Sequence, residues 1–363
     1  MKILIDISEL VHWDKPHFTG IQRVIYNIAK SSQRLNDVAF IYFKTSTETF
    51  IYKENLHSKA VETDLNTVKF QSQTVLLLGA TWNTPQIIEK LKSIKAETNI
   101  KLAHFIHDIS PIKVPHFHKE HFLEVNKTWL AQIKKIIDIY IFNSNFTKKE
   151  FISYFPDLDK LENLVLPLAS YLEQCKSQEI PLIKVPFILS VGTIEPRKNH
   201  FILYQVWKLL KSENQTIPHL VIAGSKGWNS ETIFNLLKKD PALKNYITII
   251  EGCSDSELKS LYENCAFTVF PSHYEGWGLP VTESLSMYKI CICSNQASMP
   301  EAGEDLVEYF DPLNSNELKE LTLKYWYSIE LRKEKEDKIK SNFIHLTWIE
   351  QAKKLHSYLN SFK

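Results

Sequence analysis

Two glutamates stand eight residues apart around a glycine-rich turn in HYEGWGLPVTES, with Glu275 before the glycines and Glu283 after them. Gly276 and Gly278 let backbone N–H groups approach a ligand closely, and Pro280 suits the first turn of a helix. Free N–H groups at a helix start attract phosphate. Because a carboxylate repels phosphate but accepts hydrogen bonds from hydroxyls, we expect Glu283 to bind a ribose diol and Glu275 to face sugar hydroxyls at the other end of the ligand.

A second anion site is predicted in VGTIEPRKNHF. A strand ends at Val191, Gly192 makes the turn, and a helix is expected to begin near Asn199 as its N-cap. Arg197 and Lys198 would then flank a helix N-terminus, which already favours an anion. Adjacent basic residues are more often plain surface charges, and it is the strand–turn–helix junction that favours a phosphate site. Two anion sites with a carboxylate at each end fit a nucleoside diphosphate sugar.

The elements that position these residues alternate between short apolar runs and longer amphipathic ones, which predicts an α/β fold with parallel sheets. The best-formed helix is SDSELKSLYENC, where Ser254 and Glu257 make a capping box. Six of the nine glycines follow predicted strands, where open α/β sheets bind ligands. The predicted strands are KILIDI, VAFIYF, TVLLL, KLAHFI and IYIFN in the first half, and FILSV, HLVIA, ITII, FTVF and ICICS in the second.

Length and composition bound the class of protein. The chain of 363 residues suggests two domains, and its net charge of +1 gives no reason to expect nucleic acid as a partner. The first residues include Asp6 and Glu9, unlike the uninterrupted apolar core of a signal peptide, and no apolar run is long enough to span a bilayer. Five cysteines without metal-ligand spacing favour a reducing compartment, so a cytoplasmic location is expected. The proline-bearing segment 167–186 is the expected linker.

The quoted motifs resemble a known family. EGWGLPVTE resembles the E-x7-E signature of retaining glycosyltransferases of family 4. VGTIEPRKN, HLVIAGSKGW, SDSELKSLYENCAFTVFPS and SNQASMPEAG resemble that family's other blocks in the same order, over residues 187–312. In the first half, TGIQRVIYNIAK, FIHDISPI and FNSNFTKKEF resemble the subgroup with mannosyltransferases that build bacterial surface polysaccharides.

The resemblance implies a GT-B fold, in which two Rossmann-like domains with parallel sheets face each other across a cleft. Residues 1–172 would form the acceptor-side domain and residues 173–345 the nucleotide-sugar domain. The last helix, 346–363, would pack back on the first domain.

The resemblance also implies roles for individual residues. Arg197 and Lys198 would hold the diphosphate and offset charge on the leaving nucleotide, and Glu283 would bind the ribose. Glu275 would contact the sugar together with the loop residues Gly276, Trp277, Gly278 and Leu279. Gly20 and Gly192 would lie at the nucleotide sugar, Gly20 near the phosphates. His107 would reach the donor sugar or the reacting centre, and with Arg197, Lys198 and Glu275 it completes the expected catalytic set. Asp108 is the acceptor-side candidate, and Glu195 and Ser298 would line the donor pocket.

The expected activity is a retaining, metal-independent transfer of a hexose from a nucleotide sugar to a saccharide or lipid-linked saccharide acceptor. Mannose from GDP-mannose is the first expectation, and no cofactor or metal is required. Peripheral contact with the inner face of the cell membrane is left open, because helix EHFLEVNKTWLAQIKKIIDIY is apolar and basic but equally suits the core. A nucleotide-sugar epimerase of the same architecture and a silent carbohydrate-binding scaffold are the alternatives.

Three signals compete with this interpretation. AHFIHDISPIKVPHFHKEHF gathers five histidines, but only the HxH pair has strand-like ligand spacing, so a polar loop is favoured over a metal site. Asp157 and Asp159 form a literal DxD in a proline-bearing loop, which indicates a solvated turn. Where the family usually has a glycine after the E-x7-E helix, this chain has MYKIC with Tyr288 and Lys289, so that turn needs another solution.

Overall fold

A computed structural model describes residues 2–14, 18, 20–53, 56, 68–170, 172, 175–178, 183, 186–215 and 217–362. They form two units. Unit 1 comprises Met1–Ile112, His121–Ala169 and Leu346–Lys363, and unit 2 comprises Lys113–Glu120 and Ser170–His345. Much of the expected linker, residues 167–186, lies outside the described residues. Within the described ranges, no helix is both long enough and apolar enough to cross a membrane.

Unit 1 is built on a seven-stranded sheet with the order β3-β2-β1-β4-β5-β6-β7. All neighbouring strands run parallel except β3, which pairs antiparallel with β2. The strands are β1 Ile3–Asp6, β2 Val38–Lys44, β3 Thr49–Lys53, β4 Thr74–Leu77, β5 Lys101–Ile106, β6 Ile139–Phe142 and β7 Glu162–Val165. The helices are α1 Ser8–Val11, α2 Gly20–Ser32, α3 Pro85–Glu97, α4 Ser110–Lys113, α5 Glu120–Ile133 and α6 Asn145–Tyr154.

Unit 2 is built on a six-stranded, fully parallel sheet with the order β10-β9-β8-β11-β12-β13. Its strands are β8 Phe187–Val191, β9 His219–Ala223, β10 Ile247–Ile250, β11 Phe267–Phe270, β12 Cys291–Ser294 and β13 Glu308–Phe310. Its helices are α7 His200–Ser212, α8 Glu231–Lys239, α9 Asp255–Asn264, α10 Leu279–Ser286, α11 Met299–Gly303, α12 Ser315–Tyr327 and α13 Ile329–Asn342.

All ten predicted strands are present, because each is an apolar run and most are covered on both faces of a mainly parallel sheet. The capping box of Ser254 and Glu257 at the start of α9 is also confirmed. Three short strands were not predicted. The half-exposed β3 and β7 lie at the edges of the first sheet, and β13, at the edge of the second, has only three residues.

The last helix, α14 (Trp348–Ser361), belongs to unit 1 and packs against α2. Its buried stripe contains Trp348, Ala352, Leu355 and Leu359, and the Tyr358 hydroxyl donates to the carbonyl of Asn163 at 2.8 Å. The structure differs from the predicted boundaries in two places. Residues 113–120, expected in the N-terminal domain, group with unit 2, and the main part of unit 2 begins at Ser170 rather than at residue 173.

In the turn that follows helix α10, Tyr288 occupies the position where the family usually has a glycine. Tyr288 has a φ of 55°, and its N–H donates to the carbonyl of Leu285 while the N–H of Lys289 donates to that of Ser284. These two bonds are the Schellman pattern, whose left-handed position normally holds glycine. The chain therefore keeps the usual turn and accepts backbone strain at Tyr288.

We expect Tyr288→Gly to melt about 2–4 °C above Tyr288→Ala, the shift that corresponds to roughly 1 kcal/mol of left-handed strain in a unit of this size. Both substitutions remove the ring that contacts His345, so their difference isolates the backbone. Thermal unfolding of the two variants measures it, and an alanine variant at least as stable as the glycine variant would contradict the strain.

Candidate functional site

The residues with predicted chemistry in unit 2 lie where the direction of strand addition reverses. From β8 the chain adds β9 and β10 on one side of the sheet, then crosses to add β11 on the other side. Open α/β sheets bind ligands outside the carboxyl ends of the strands at this switch point. Arg197 and Lys198 follow β8, and Glu275 follows β11, so two adjacent strands bring them together.

Glu195, Arg197, Lys198 and Glu275 form what we call the charge cluster. The Arg197 guanidinium lies 2.9 Å from a carboxylate oxygen of Glu195 and 3.0 Å from one of Glu275. The Lys198 ammonium donates to Glu275 at 2.6 Å. All four side chains are largely buried, with at most 15% exposed. The cluster thus holds two cations and two carboxylates at the expected diphosphate site.

The cations decide the ionisation of Glu275. Burial alone would raise the pKa of its carboxyl, but Arg197 and Lys198 outweigh burial and bring the pKa down to about 2. Burial raises the pKa of Glu195 above its usual range, with Arg197 and Lys198 offsetting part of that rise. At neutral pH Glu275 is therefore an anion that already pairs with both Arg197 and Lys198.

Ser298 holds the glycine-rich loop through two of its backbone carbonyls. Its hydroxyl lies within hydrogen-bonding distance of the carbonyls of Glu275, at 2.8 Å, and Trp277, at 2.9 Å. Gly278 has a φ of 103° and precedes α10, which begins at Leu279. Trp277 is buried. Within the described residues its indole N–H has no hydrogen-bond partner.

Glu283 lies inside α10 with only 1% of its surface exposed. One carboxylate oxygen accepts a hydrogen bond from the Tyr262 hydroxyl at 2.9 Å. Tyr262, on α9, was not predicted as a site residue, because no local pattern signals the contact of its hydroxyl with Glu283. The position of Glu283 five residues into α10 matches the prediction, and its contact with ribose stays a prediction.

Asn199 takes the predicted N-cap position of α7, but its side chain does not cap the helix. Pro196–Lys198 form a 3₁₀ turn, and Asn199 follows it with a φ of 55° and no side-chain cap. The Asn199 amide instead donates to the carbonyl of Pro312 at 2.9 Å. Arg197 and Lys198 therefore lie in the turn that precedes α7.

His200, the first residue of α7, was not predicted as a site residue. Its ring is buried, burial lowers its pKa to about 3, and no described residue hydrogen-bonds to it.

The loop after β8 is held by the loop after β9. Ile194 and Lys226 form a bridge between the two loops. A Cβ at Gly224 would lie 1.9 Å from the carbonyl oxygen of Gly192, so this close approach requires glycine. The Lys198 side chain lies beside Gly192, whose φ is 146°. The tight loop pair sets the position of Glu195 and of the turn that carries Arg197.

In unit 1, His107 follows β5 and is firmly held. Its Nε2–H donates to the carbonyl of Leu78 at 2.7 Å, and the Asn143 amide donates to the His107 carbonyl at 2.7 Å. Burial lowers the pKa of His107, so at neutral pH the ring is uncharged and Nδ1 remains as an acceptor. Asp108 accepts from the N–H of Ser110 at 2.8 Å, as an N-terminal cap does. Gly20 begins α2 with a φ of 45°. The roles of these three residues stay predictions.

The competing signals resolve into ordinary contacts. Among the residues described, no group of three or more His, Cys, Asp or Glu side chains is placed to hold a metal ion. The ring of His118 stacks on Trp228. Asp157 pairs with Lys134 at 2.8 Å on the surface.

The chain is similar in sequence to known glycosyltransferases. Residues 176–342 match the family described as Glycosyl transferases group 1. The chain is 28% identical over 214 residues to an O-antigen chain mannosyltransferase B of Escherichia coli, covering 57% of this chain and 56% of that protein. It is 25% identical over 337 residues to a serotype-specific mannosyltransferase WbdA of Escherichia coli, covering 85% of this chain and 40% of that protein. The chain thus spans about half the length of these relatives or less.

Solved structures show the same fold. Sucrose-phosphate synthase from Thermosynechococcus elongatus aligns with a TM-score of 0.69 over 99% of both chains at 15% identity. Anabaena HepE in complex with UDP and glucose aligns with a TM-score of 0.67 over 100% of both chains at 15% identity. The chain has a GT-B fold made of two Rossmann-like domains, and it resembles bacterial polysaccharide mannosyltransferases, as predicted.

The charge cluster predicts an unusual response to neutralising Glu275. We expect Glu275→Gln to bind inorganic pyrophosphate about 5- to 50-fold more tightly than the unmodified protein, because a competing anion leaves Arg197 and Lys198. Isothermal titration calorimetry measures the affinities.

Glu231→Gln is the matched control, since Glu231 pairs with Lys226 at the surface of the same unit. That variant should bind pyrophosphate as the unmodified protein does. Weaker or unchanged binding by Glu275→Gln would contradict the account of the charge cluster.

Proposed function

We propose that the protein is a retaining, metal-independent glycosyltransferase that moves a hexose from a nucleotide sugar to a saccharide or lipid-linked saccharide acceptor in bacterial surface polysaccharide synthesis. The observation that carries the proposal is the convergence of Arg197 and Lys198 on Glu275 at the carboxyl ends of β8 and β11. A guanidinium and an ammonium in a largely buried site are suited to a diphosphate.

Leaving-group stabilisation is the main catalytic contribution in this proposal. When the bond between the sugar and the diphosphate breaks, negative charge develops on the diphosphate and positive charge on the sugar. Fixed cations in a water-poor site stabilise the departing diphosphate strongly. Arg197 and Lys198 supply that charge, so the reaction needs no bound metal. The acceptor hydroxyl would attack the sugar on the face that the diphosphate leaves, its proton would pass to an oxygen of the departing diphosphate, and no enzyme nucleophile is needed.

The donor sugar would replace the basic side chains as the partner of Glu275. Once a diphosphate holds Arg197 and Lys198, the Glu275 carboxylate is released to accept hydrogen bonds from sugar hydroxyls. The loop amides of Gly276 and Gly278 would contact the same sugar, and Glu283 would accept from the ribose. His107, with its neutral ring, would contact the donor sugar, and Asp108 the acceptor.

GDP-mannose is the proposed donor and mannose the transferred sugar, because two relatives are named mannosyltransferases. HepE, similar in fold, was solved with UDP-glucose, so UDP sugars are the donors to compare. We place the protein in the cytoplasm, with peripheral contact at the inner face of the cell membrane where a lipid-linked acceptor would be met.

The expected outcome with GDP-mannose and a mannose-bearing acceptor is GDP release that depends on the acceptor, with the α-configuration of the donor kept in the product. EDTA should leave the rate unchanged. Nucleotide-release assays and NMR of the product measure these. Isomerisation of GDP-mannose without acceptor would favour the epimerase. A product with inverted configuration would contradict the retaining mechanism. A preference for UDP sugars would overturn only the assignment of GDP-mannose as donor.

Lys198→Met should lower kcat/KM for the donor roughly 100-fold or more, because it removes a cation from the leaving group while keeping the length of the side chain. Lys238→Met is the matched control, since Lys238 lies on the surface of the same unit and its ammonium is 4.0 Å from the carboxylate of Glu251. Equal turnover by the two variants would contradict the role of Lys198, and negligible donor turnover by the unmodified protein would favour the scaffold.

A further inference from the structure

The histidine-rich segment Pro115–His118 packs on the loop after β11, which carries Glu275, and on the loop after β9. It belongs to unit 2, although the residues on both sides of 113–120 belong to unit 1. Pro115–Phe117 form a 3₁₀ turn, and Phe117 is half-buried. We call Pro115–His118 the aromatic clasp.

The aromatic clasp contacts two side chains, those of His273 and Trp228. The ring of Phe117 stacks on the ring of His273, with centroids 5.0 Å apart and planes 8° from parallel. The indole N–H of Trp228 donates to the carbonyl of Phe117 at 2.9 Å. The ring of His118 stacks on the same indole, with centroids 5.9 Å apart. Phe117 thus holds one residue through its ring and another through its backbone.

Both partners lead directly to the charge cluster. The N–H of His273 donates to the carbonyl of Arg197 at 2.9 Å, and His273 stands two residues before Glu275. Trp228 directly follows Gly227, whose N–H donates to the carbonyl of Ile194 at 2.9 Å. Glu195, the next residue, is the one that pairs with Arg197. The clasp therefore contacts the loop after β11, which carries Glu275, and the loop after β9, which braces the loop that carries Glu195, Arg197 and Lys198.

We propose that the aromatic clasp positions the nucleotide-sugar site, with Phe117 as the positioning residue. This inference rests on the proposed function. Phe117 acts through His273 and Trp228. Loops at the carboxyl ends of strands are the part of such a site most free to move, and small misplacements of binding groups are costly. The stack with His273 stabilises one arrangement of the β11–α10 loop by about 2- to 12-fold over others.

Calorimetric binding of GDP tests the proposal. Phe117→Ala should raise the Kd for GDP about fivefold and the donor KM similarly, since the loops lose the stack that fixes them. Phe117→Tyr, which keeps the ring, should restore the Kd to within about twofold. Phe122→Ala is the matched control: Phe122 is also half-buried and lies against a histidine ring, His121, but it belongs to unit 1.

A double-mutant cycle separates positioning from general packing. If Phe117 acts through His273, then Phe117→Ala combined with His273→Ala should raise the Kd little more than either single change. Additive effects, or a Kd for Phe117→Ala equal to that of Phe122→Ala, would overturn the clasp while leaving the proposed function standing. Failure of the unmodified protein to bind either GDP or UDP would instead overturn the proposed function, and the inference with it.

Discussion

The pairing of Arg197 and Lys198 with the buried Glu275 is the interaction on which the site depends. Burying charges is tolerated only where partners satisfy them, and here two cations are matched by the carboxylates of Glu275 and Glu195. The charges of the cluster balance without a ligand. In the proposed function a diphosphate would compete with Glu275 for the basic side chains, and its binding would be coupled to release of the carboxylate.

The sheet explains why these residues meet although they are far apart in sequence. Parallel strands place the loops after β8 and β11 side by side at the switch point, and the loop after β9 braces the first of them through the bridge at Ile194. Glycine at position 224 permits that approach. The scaffold thus fixes the backbone, and the charge cluster fixes the side chains on it.

Local chemistry was predictable from the sequence, and so was the meeting of the two anion loops, but most individual contacts between distant side chains were not. The ten apolar strands, the Ser254 capping box and Pro280 in the first turn of α10 follow from short-range rules. The left-handed Asn199 depends on the carbonyl of Pro312, more than a hundred residues away, so no local pattern could predict it. The burial of Trp277 and the stack of Phe117 on His273 are likewise tertiary.

The most direct measurement is a crystal structure with GDP bound. The account predicts the β-phosphate within about 3.5 Å of both the Arg197 guanidinium and the Lys198 ammonium, with the Glu275 carboxylate turned away from them. A nucleotide bound elsewhere, or a diphosphate that leaves the Glu275 pairs with Arg197 and Lys198 intact, would contradict it.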